Sequence, residues 1–323
     1  MRLQRFEKVM TFALALLGAL LADRYLGEPP VRLHPVVWMG NYLGNVGAWV
    51  QRHTLQQPSV KDLKAFWLAA LVWSTGAAIC WVVSWTLQSV LLTLPWWAAD
   101  GLLGLLLKPM LAWAMLQREV LAVEAALGQS LDAGRERLSW LVSRDVTQLT
   151  DTQVRESAIE SLAENLNDSV VAPIFWFVLL GLPGAVLYRF ANTADAMWGY
   201  PGIYKGQNWA WAGKWAARVD DGLSWLPARL TGLLLALRCG VNLGALGREA
   251  GKTPSPNSGW PMAAMALALH IHLGKPGVYV LNPAGQAPVA ADVDRSISYA
   301  SKVLVALVST ALIALYLRAL MTS

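Results

Sequence analysis

The 323 residues are 55% hydrophobic and only 15% charged, with a net charge of +5 and a mean hydropathy of +0.41. That is too apolar for a soluble domain of this length, so the composition excludes a water-soluble enzyme and predicts an all-α, polytopic integral membrane protein. The positive charge sits in connecting segments and shows no basic stripe interleaved with aromatics, so it does not argue for nucleic acid. The 17 Trp read as interfacial anchors and span packing. Cys80 and Cys239 read as buried thiols outside any disulfide or zinc pattern, and His34, His53, His270 and His272 form no metal quartet.

In chain order, the first apolar run is Val9 to Ala22. It is followed directly by Asp23, Arg24 and Tyr25 rather than by a small-residue cleavage site, so it reads as a retained helix. Asp23 to Met39 contains Gly27 and paired prolines and is expected to be extended and turn-rich, not helical. Phe66 to Leu94 and Trp96 to Leu116 are each about the ~20 residues needed for a span, although Lys108 and Pro109 interrupt the second. Gln117 to Asn167 is helical by period, with a break near Ser143 to Asp151. Val170 to Tyr188 carries Pro173 and the interruption Gly181 to Gly184, which fits a re-entrant hairpin as well as a span. Irregular backbone at membrane depth needs protein or a water-filled cavity around it, so the hairpin reading implies a cavity nearby. Gly222 to Val241 and Val303 to Leu320 complete the apolar segments.

The expected organisation is one membrane-embedded domain over 1–323 with spans near 9–22, 66–94, 96–116, 170–188, 222–241 and 303–320. The polar connections are 23–62, 117–169, 191–221 and 242–300, some of them helical. No internal repeat or low-complexity tract is present.

Glu156, Glu160, Glu164 and Asp168 recur at i, i+4, i+8 and i+12 and run up to the apolar stretch at Val170. On a helix this stacks like charges, which is unfavourable unless a cation lies among them. One reading is a solvated helix face. The other is a set of ligands for a metal, basic groups or substrate, since acids at a membrane lip are expensive to keep unpartnered. Arg229, just after Pro227, has two readings as well: it lines a cavity or snorkels to the interface. Gly251, Lys252 and Thr253 do not make a phosphate loop, because Leu246 replaces its first glycine and Pro254 and Pro256 deny the helix. Phosphate handling would therefore rely on acids holding Mg²⁺, which takes one or two carboxylates and fills its other positions with water and phosphate oxygens, together with Arg and Lys.

Four blocks carry a family likeness: ESLAENLNDSVVAPIFW at 156–176, NTADAMWGY at 192–200, ARVDDGLSWLPARLT at 217–231 and SPNSGWPMAAMA at 255–266. With LGEPPVRLHPVVWMG at 26–40 and SRDVTQLT at 143–150, the chain resembles the adenosylcobinamide-phosphate synthases, membrane-bound enzymes of cobalamin biosynthesis, over roughly residues 20 to 300. The loop 274–282 departs from the family's usual Asn/Tyr/Gly-rich pattern.

The resemblance implies ATP- and Mg²⁺-dependent amide formation between adenosylcobyric acid and an aminopropanol phosphate or related ethanolamine-type amine. It implies a multi-pass protein of the cell inner membrane whose site faces the cytoplasm, with corrinoid and amino-alcohol phosphate as substrates, lipid around it, and association with other cobalamin-assembly enzymes. Glu160, Glu164, Asp168 and Asp195 are the expected catalytic acids, of which Glu164, Asp168 and Asp195 would hold the metal. Asp220 and Asp221 form a second acidic cluster. Asn165, Asn192 and Asn257 would contact corrin amides, Arg144, Arg218 and Arg229 would pair with phosphate, and His34 is a further candidate. Simpler roles are also open: caps for Asn165 and Asn192, an N-cap pair at Asp220 and Asp221 opening a helix at Gly222, a local ion pair of Arg144 with Asp145, turns at Pro256, Gly259 and Pro261, and packing for His34. Two alternatives from other classes are a Mg²⁺-dependent membrane transferase of a diphosphate substrate and a non-catalytic signalling paralogue of the same fold.

Overall fold

The computed structural model describes residues 2–322; Met1 and Ser323, the two ends of the expected 1–323 domain, lie outside them. Helices succeed one another along almost the whole chain: α1 (Arg2–Leu26), α2 (Pro35–Gln51), α3 (Leu63–Leu91), α4 (Trp96–Leu107), α5 (Trp113–Leu127), α6 (Leu131–Leu138) and α7 (Asp151–Leu166). After them come α8 (Ala172–Leu180), α9 (Leu182–Trp198), α10 (Lys214–Cys239), α11 (Leu243–Ala250), α12 (Gly259–Leu269) and α13 (Ala290–Thr322). Two small antiparallel hairpins interrupt them: β1 (Ile203–Tyr204) with β2 (Gln207–Asn208), and β3 (Leu273–Lys275) with β4 (Tyr279–Leu281). Among the described residues, three helical stretches are long and apolar enough to cross a bilayer: 63–91, 96–127 and 290–317. The protein is an all-α polytopic membrane protein.

Several boundaries differ from the sequence reading, each for a local reason. The segment 23–39 is largely helical, because α1 runs on to Leu26 and α2 starts at Pro35. Proline at the first helical position gives up an N–H that has no helical partner anyway. His34 precedes it as the cap, its Nδ1 accepting the Val36 N–H at 3.2 Å. α3 stops at Leu91, ahead of Pro95. The segment 170–188 is not one continuous span: α8 has nine residues, about 13 Å of rise, too short for the ~30 Å hydrocarbon core. It ends at Gly181, whose φ of 72° suits glycine alone. The polar stretch 191–221 is mostly helix as well, shared between the end of α9 and the start of α10, so Asp220 and Asp221 lie inside a helix and are not its N-cap. Cys80 and Cys239 are free and half-buried rather than buried.

The chain divides into two compact units. Unit 1 comprises 1–111, 173–223 and 313–323. In it α1 lies close against α4, where Gly104 leaves room for the backbone of Ala15 and Ala19, and α9 packs on α2 and α3 through Phe190, which meets the rings of Tyr42 and Trp73. The interruption at Lys108 and Pro109 is a 3₁₀ turn. There the buried Lys108 ammonium lies 2.7 Å from Glu28 and 3.6 Å from Asp23, while His34 Nε2 donates to the same Glu28 oxygen at 3.2 Å.

Unit 2 comprises 112–172 and 224–312 and is built around α7, which packs on α5, α6, α12 and β3. Arg155 fixes α7 to α5 through three hydrogen bonds of 2.9–3.2 Å to Glu124, a fork geometry that holds orientation as well as distance.

Candidate functional site

Helix α7 sets the geometry of the site in unit 2. Thr150 and Gln153 cap it reciprocally, Thr150 Oγ accepting the Gln153 N–H at 3.3 Å and Gln153 Oε1 accepting the Thr150 N–H at 2.9 Å. This cap fixes where the helix begins, and therefore the phase of every acid after it. Glu156, Glu160 and Glu164 fall on one face, a turn apart. The solvated-face reading fails for Glu156 and Glu160, which are only 6% and 1% exposed, while Glu164 is exposed.

Arg144 supplies the counter-charge. Its Nη2 donates to Glu160 Oε2 at 3.0 Å and its Nη1 to Ser157 Oγ at 3.3 Å. The expected local pair with Asp145 does not form, because the Asp145 carboxylate accepts the N–H and hydroxyl of Thr147 at 2.9 and 2.8 Å.

The acidic stripe does not continue unbroken to Asp168. Residues Asn167–Val171 form a π turn, and a proline is its cause. Pro173, four residues after Ser169, has no N–H to offer the Ser169 carbonyl. That carbonyl instead accepts the Ala112 N–H at 3.1 Å, and Asp168 lies within the wider turn, near enough to Glu164 to raise its carboxyl. Asn167 holds it there, donating Nδ2–H to Asp168 Oδ1 at 2.7 Å, while Asn167 Oδ1 accepts the Thr231 hydroxyl at 3.2 Å.

A cavity of about 360 Å³ opens over this face. Arg144, Glu164 and Asn165 line one side, Ser255 and Ser258 another, and Lys275 and Tyr279 enter from the β3–β4 hairpin. Glu164 borders the cavity and is exposed there; the surrounding protein, then Asp168 and Glu160 nearby, pushes its carboxyl up, with Arg144 and Lys275 acting in the opposite direction. Burial likewise raises Glu160 against the pull of Arg144 and Tyr279, and it raises the Tyr279 hydroxyl together with the two acids.

Three carboxylates here face two cations, and Glu160 Oε1 is buried with no hydrogen-bond partner among the described residues. Among those residues no three acids or histidines converge as a self-sufficient metal cage. The arrangement therefore fits a cation that takes one or two carboxylates and completes its shell with phosphate and water, as Mg²⁺ does.

The other expected site residues are divided between this cavity's surroundings and unit 1. Asn165 lies within α7 rather than at a cap, donating to the Ser161 carbonyl at 2.9 Å, and lines the cavity. Arg229 does not snorkel freely. It donates to Asn257 Oδ1 at 2.9 Å and to the carbonyl of Pro256 at 3.2 Å, and stacks over Trp225 and Trp260. It thus clamps the 254–258 loop, which contributes Ser255 and Ser258 to the cavity, while Gly259 and Pro261 lie in the first turn of α12. His34, Asn192, Asp195, Arg218, Asp220 and Asp221 belong to unit 1. Asn192 and Asp195 share a face of α9, and Arg218, Asp220 and Asp221 lie along α10, so all five are on helices, not loops.

Lys275, Tyr279, Ser255 and Ser258 were not among the expected site residues. The Pro276–Gly277 step between Lys275 and the Tyr279–Val280 pair is a hairpin signature that would have singled out the first two.

Fold and site together define a helical membrane protein with a polar, cation-walled cavity beside clustered acids. The chain belongs to the CobD/Cbib protein family, which it matches over residues 16–308. It is 41% identical over 273 residues to "Probable cobalamin biosynthesis protein CobD" of Methanothermobacter thermautotrophicus, covering 82% of this chain and 85% of that one. It is 33% identical over 314 residues to "Cobalamin biosynthesis protein CobD" of Halalkalibacterium halodurans, covering 88% and 91%. With the protein of the same name from Photorhabdus laumondii it shares 35% identity over 280 residues, 84% of each chain. No solved structure matches the chain.

Proposed function

We propose that the protein acts in cobalamin biosynthesis as an amide synthase, joining the free carboxyl of adenosylcobyric acid to the amine of an aminopropanol phosphate in an ATP- and Mg²⁺-dependent reaction. The observation that carries this reading is the cavity that brings Arg144 and Lys275 to the edge of the Glu160, Glu164 and Asp168 cluster. A carboxylate resists attack by an amine until it is activated, and activation by phosphoryl transfer brings several anions into one place. Arg144 and Lys275 would pair with phosphate oxygens and stabilise the charge that builds up in the transition state. Ser255 and Ser258 offer hydroxyl donors to the same groups.

Glu164 and Asp168 would hold Mg²⁺, which when bound would screen the triphosphate and polarise the transferred phosphoryl group, while Glu160 anchors Arg144 beside them. Asn165 would orient the substrate amides, and Arg229 acts indirectly by fixing the serine-bearing loop. Asp195, Asn192, Arg218, Asp220, Asp221 and His34 stay candidates for corrinoid contact within unit 1. Because ATP and the corrinoid are cytoplasmic, the protein is proposed to sit in the cell inner membrane with this cavity facing the cytoplasm.

The test is rescue of a strain blocked between cobyric acid and cobinamide. The gene should restore growth on cobyric acid, and cobinamide alone should restore the empty-vector control. Growth that needs cobinamide even with the gene present overturns the assignment. Cysteine at Asn165 or Ser255 should label from the cytoplasmic side only.

A further inference from the structure

Unit 1 contains a cavity of another kind, about 540 Å³ between α2, α3, α4 and α9. Its floor is closed, with Met39, Met110, Leu182 and Phe190 all buried. Its lip is open: Ile79, Val83 and Leu87, a turn apart on α3, are exposed, and so is Leu105 on α4. Because α3 is one of the stretches long and apolar enough to cross a bilayer, this lip meets hydrocarbon. A concave apolar site there is more than a helix face coated by lipid.

The walls suit an apolar occupant. Apart from the Cys80 thiol, a weak donor, the hydrogen-bonding side chains that line the cavity are already committed to backbone carbonyls. The Trp38 indole N–H donates to Arg32 at 2.9 Å, the Tyr42 hydroxyl to Val72 at 2.7 Å and the Ser84 hydroxyl to Cys80 at 2.5 Å. A ligand rich in amides, as a corrinoid is, would lose its water here and find few partners. A hydrocarbon chain needs none.

The rim adds a charge. Arg32 precedes Leu33, which lines the cavity, and its carbonyl holds the exposed ring of Trp38. It is itself exposed and forms no ion pair among the described residues. Lys108, Glu28 and His34, next to the lining residues Pro109, Pro29 and Pro35, are occupied with one another. The cation left at this rim sits beside an exposed Trp, the pairing that marks a membrane–water interface, and a guanidinium matches the geometry of a phosphate.

We propose that this cavity is a lipid-binding site that takes an acyl chain of an anionic phospholipid, with the lipid phosphate paired to Arg32. The site is independent of the amide-synthase reading and gives unit 1 a ligand of its own.

The experiment uses the full chain, stripped of lipid in detergent and titrated with dioleoyl phosphatidylglycerol or dioleoyl phosphatidylcholine, with bound lipid counted by native mass spectrometry. The two lipids share their chains and differ in net charge. The parent should bind one phosphatidylglycerol at least about tenfold more tightly than phosphatidylcholine, the scale of one hydrogen bond to a charged group. Arg32→Gln should erase that preference. Val83→Trp, which fills the cavity without changing its polarity, should abolish tight binding of both lipids. Val82→Trp, at a similarly exposed position outside the cavity, should bind as the parent does.

Equal affinity of the parent for the two lipids, or an unchanged preference in Arg32→Gln, overturns the proposal. So does parent-like binding in Val83→Trp. If Val83→Trp fails to fold, phosphatidylglycerol carrying a diazirine on its acyl chain decides on the parent protein: cross-links at 79–87 support the site, and cross-links confined to other segments overturn it. None of these measurements involves amide synthesis, so the lipid site and the proposed reaction can fail separately.

Discussion

Each unit buries acids against a lysine or arginine, and the two clusters differ in access. In unit 1 the Lys108 side chain is 5% exposed and that of Asp23 2%, Glu28 and His34 are half-buried beside them, and the lysine closes on the acids directly. In unit 2 Glu160 is as deeply buried, yet its partner Arg144 and its neighbour Glu164 line a polar cavity. The same residue types therefore act as a brace where they pair with one another away from any polar cavity and as a site where they border one. In unit 1 the brace ties the loop before α2 to the break in the α4 segment, where an interrupted helix needs polar partners.

The largest expected effect tests the brace. Lys108→Met leaves Asp23 buried and Glu28 half-buried without their cation and should destabilise the protein by roughly 3–5 kcal/mol, read as a lower midpoint of thermal unfolding in nanodiscs. A Lys108→Met protein of unchanged midpoint that has lost activity would make unit 1's cluster part of the chemistry. Next, Glu160→Gln and Glu164→Gln should lower the rate of amide synthesis by about 10²-fold or more with expression and membrane insertion intact. Activity within a few-fold of the parent would leave these acids as structural charge only. Arg229→Met removes the clamp on the 254–258 loop and should raise substrate KM by roughly the few-fold expected for about 1 kcal/mol, leaving the rate at saturation alone; a fall in the saturating rate instead would put Arg229 at the reacting groups. The smallest effect belongs to Asp132→Ala, whose pair with Arg135 is solvent-exposed on the acid side, and it should shift stability by no more than about 0.5 kcal/mol.

The helical membrane class and the phase of the α7 acids are legible in the sequence because both are periodic: apolar runs of span length, and carboxylates every four residues. Arg144 is recognisable as a phosphate candidate, while its contact with Glu160 is not, since that pairing closes across the non-helical loop before α7 and no local spacing encodes it. The 23–39 segment differs from expectation because Pro35, which looks like a breaker, starts a helix. Likewise, the polar residues of 191–221 suggest loop and outweigh a helical period that in fact continues. Lys275 and Tyr279 depend on the register of a hairpin with three-residue strands. The division of the expected acids, with Asp195, Asp220 and Asp221 in one unit and Glu160, Glu164 and Asp168 in the other, is a tertiary fact with no trace in their spacing.

The π turn at Asn167–Val171 makes chain length, more than residue identity, the sensitive variable at that point. Deleting one residue, such as Ser169, would let the segment rewind as regular α-helix with nearly the same downstream phase, because the wide turn uses five residues for about the rotation that four take in an α-helix. The carbonyl four residues before the proline would then point along the helix at a ring that cannot donate to it, and the Ala112 N–H would lose the carbonyl it now meets. Substitutions at Ser169 that spare the backbone should be borne far more easily than a single-codon deletion, so this segment should vary in composition while holding its count of residues.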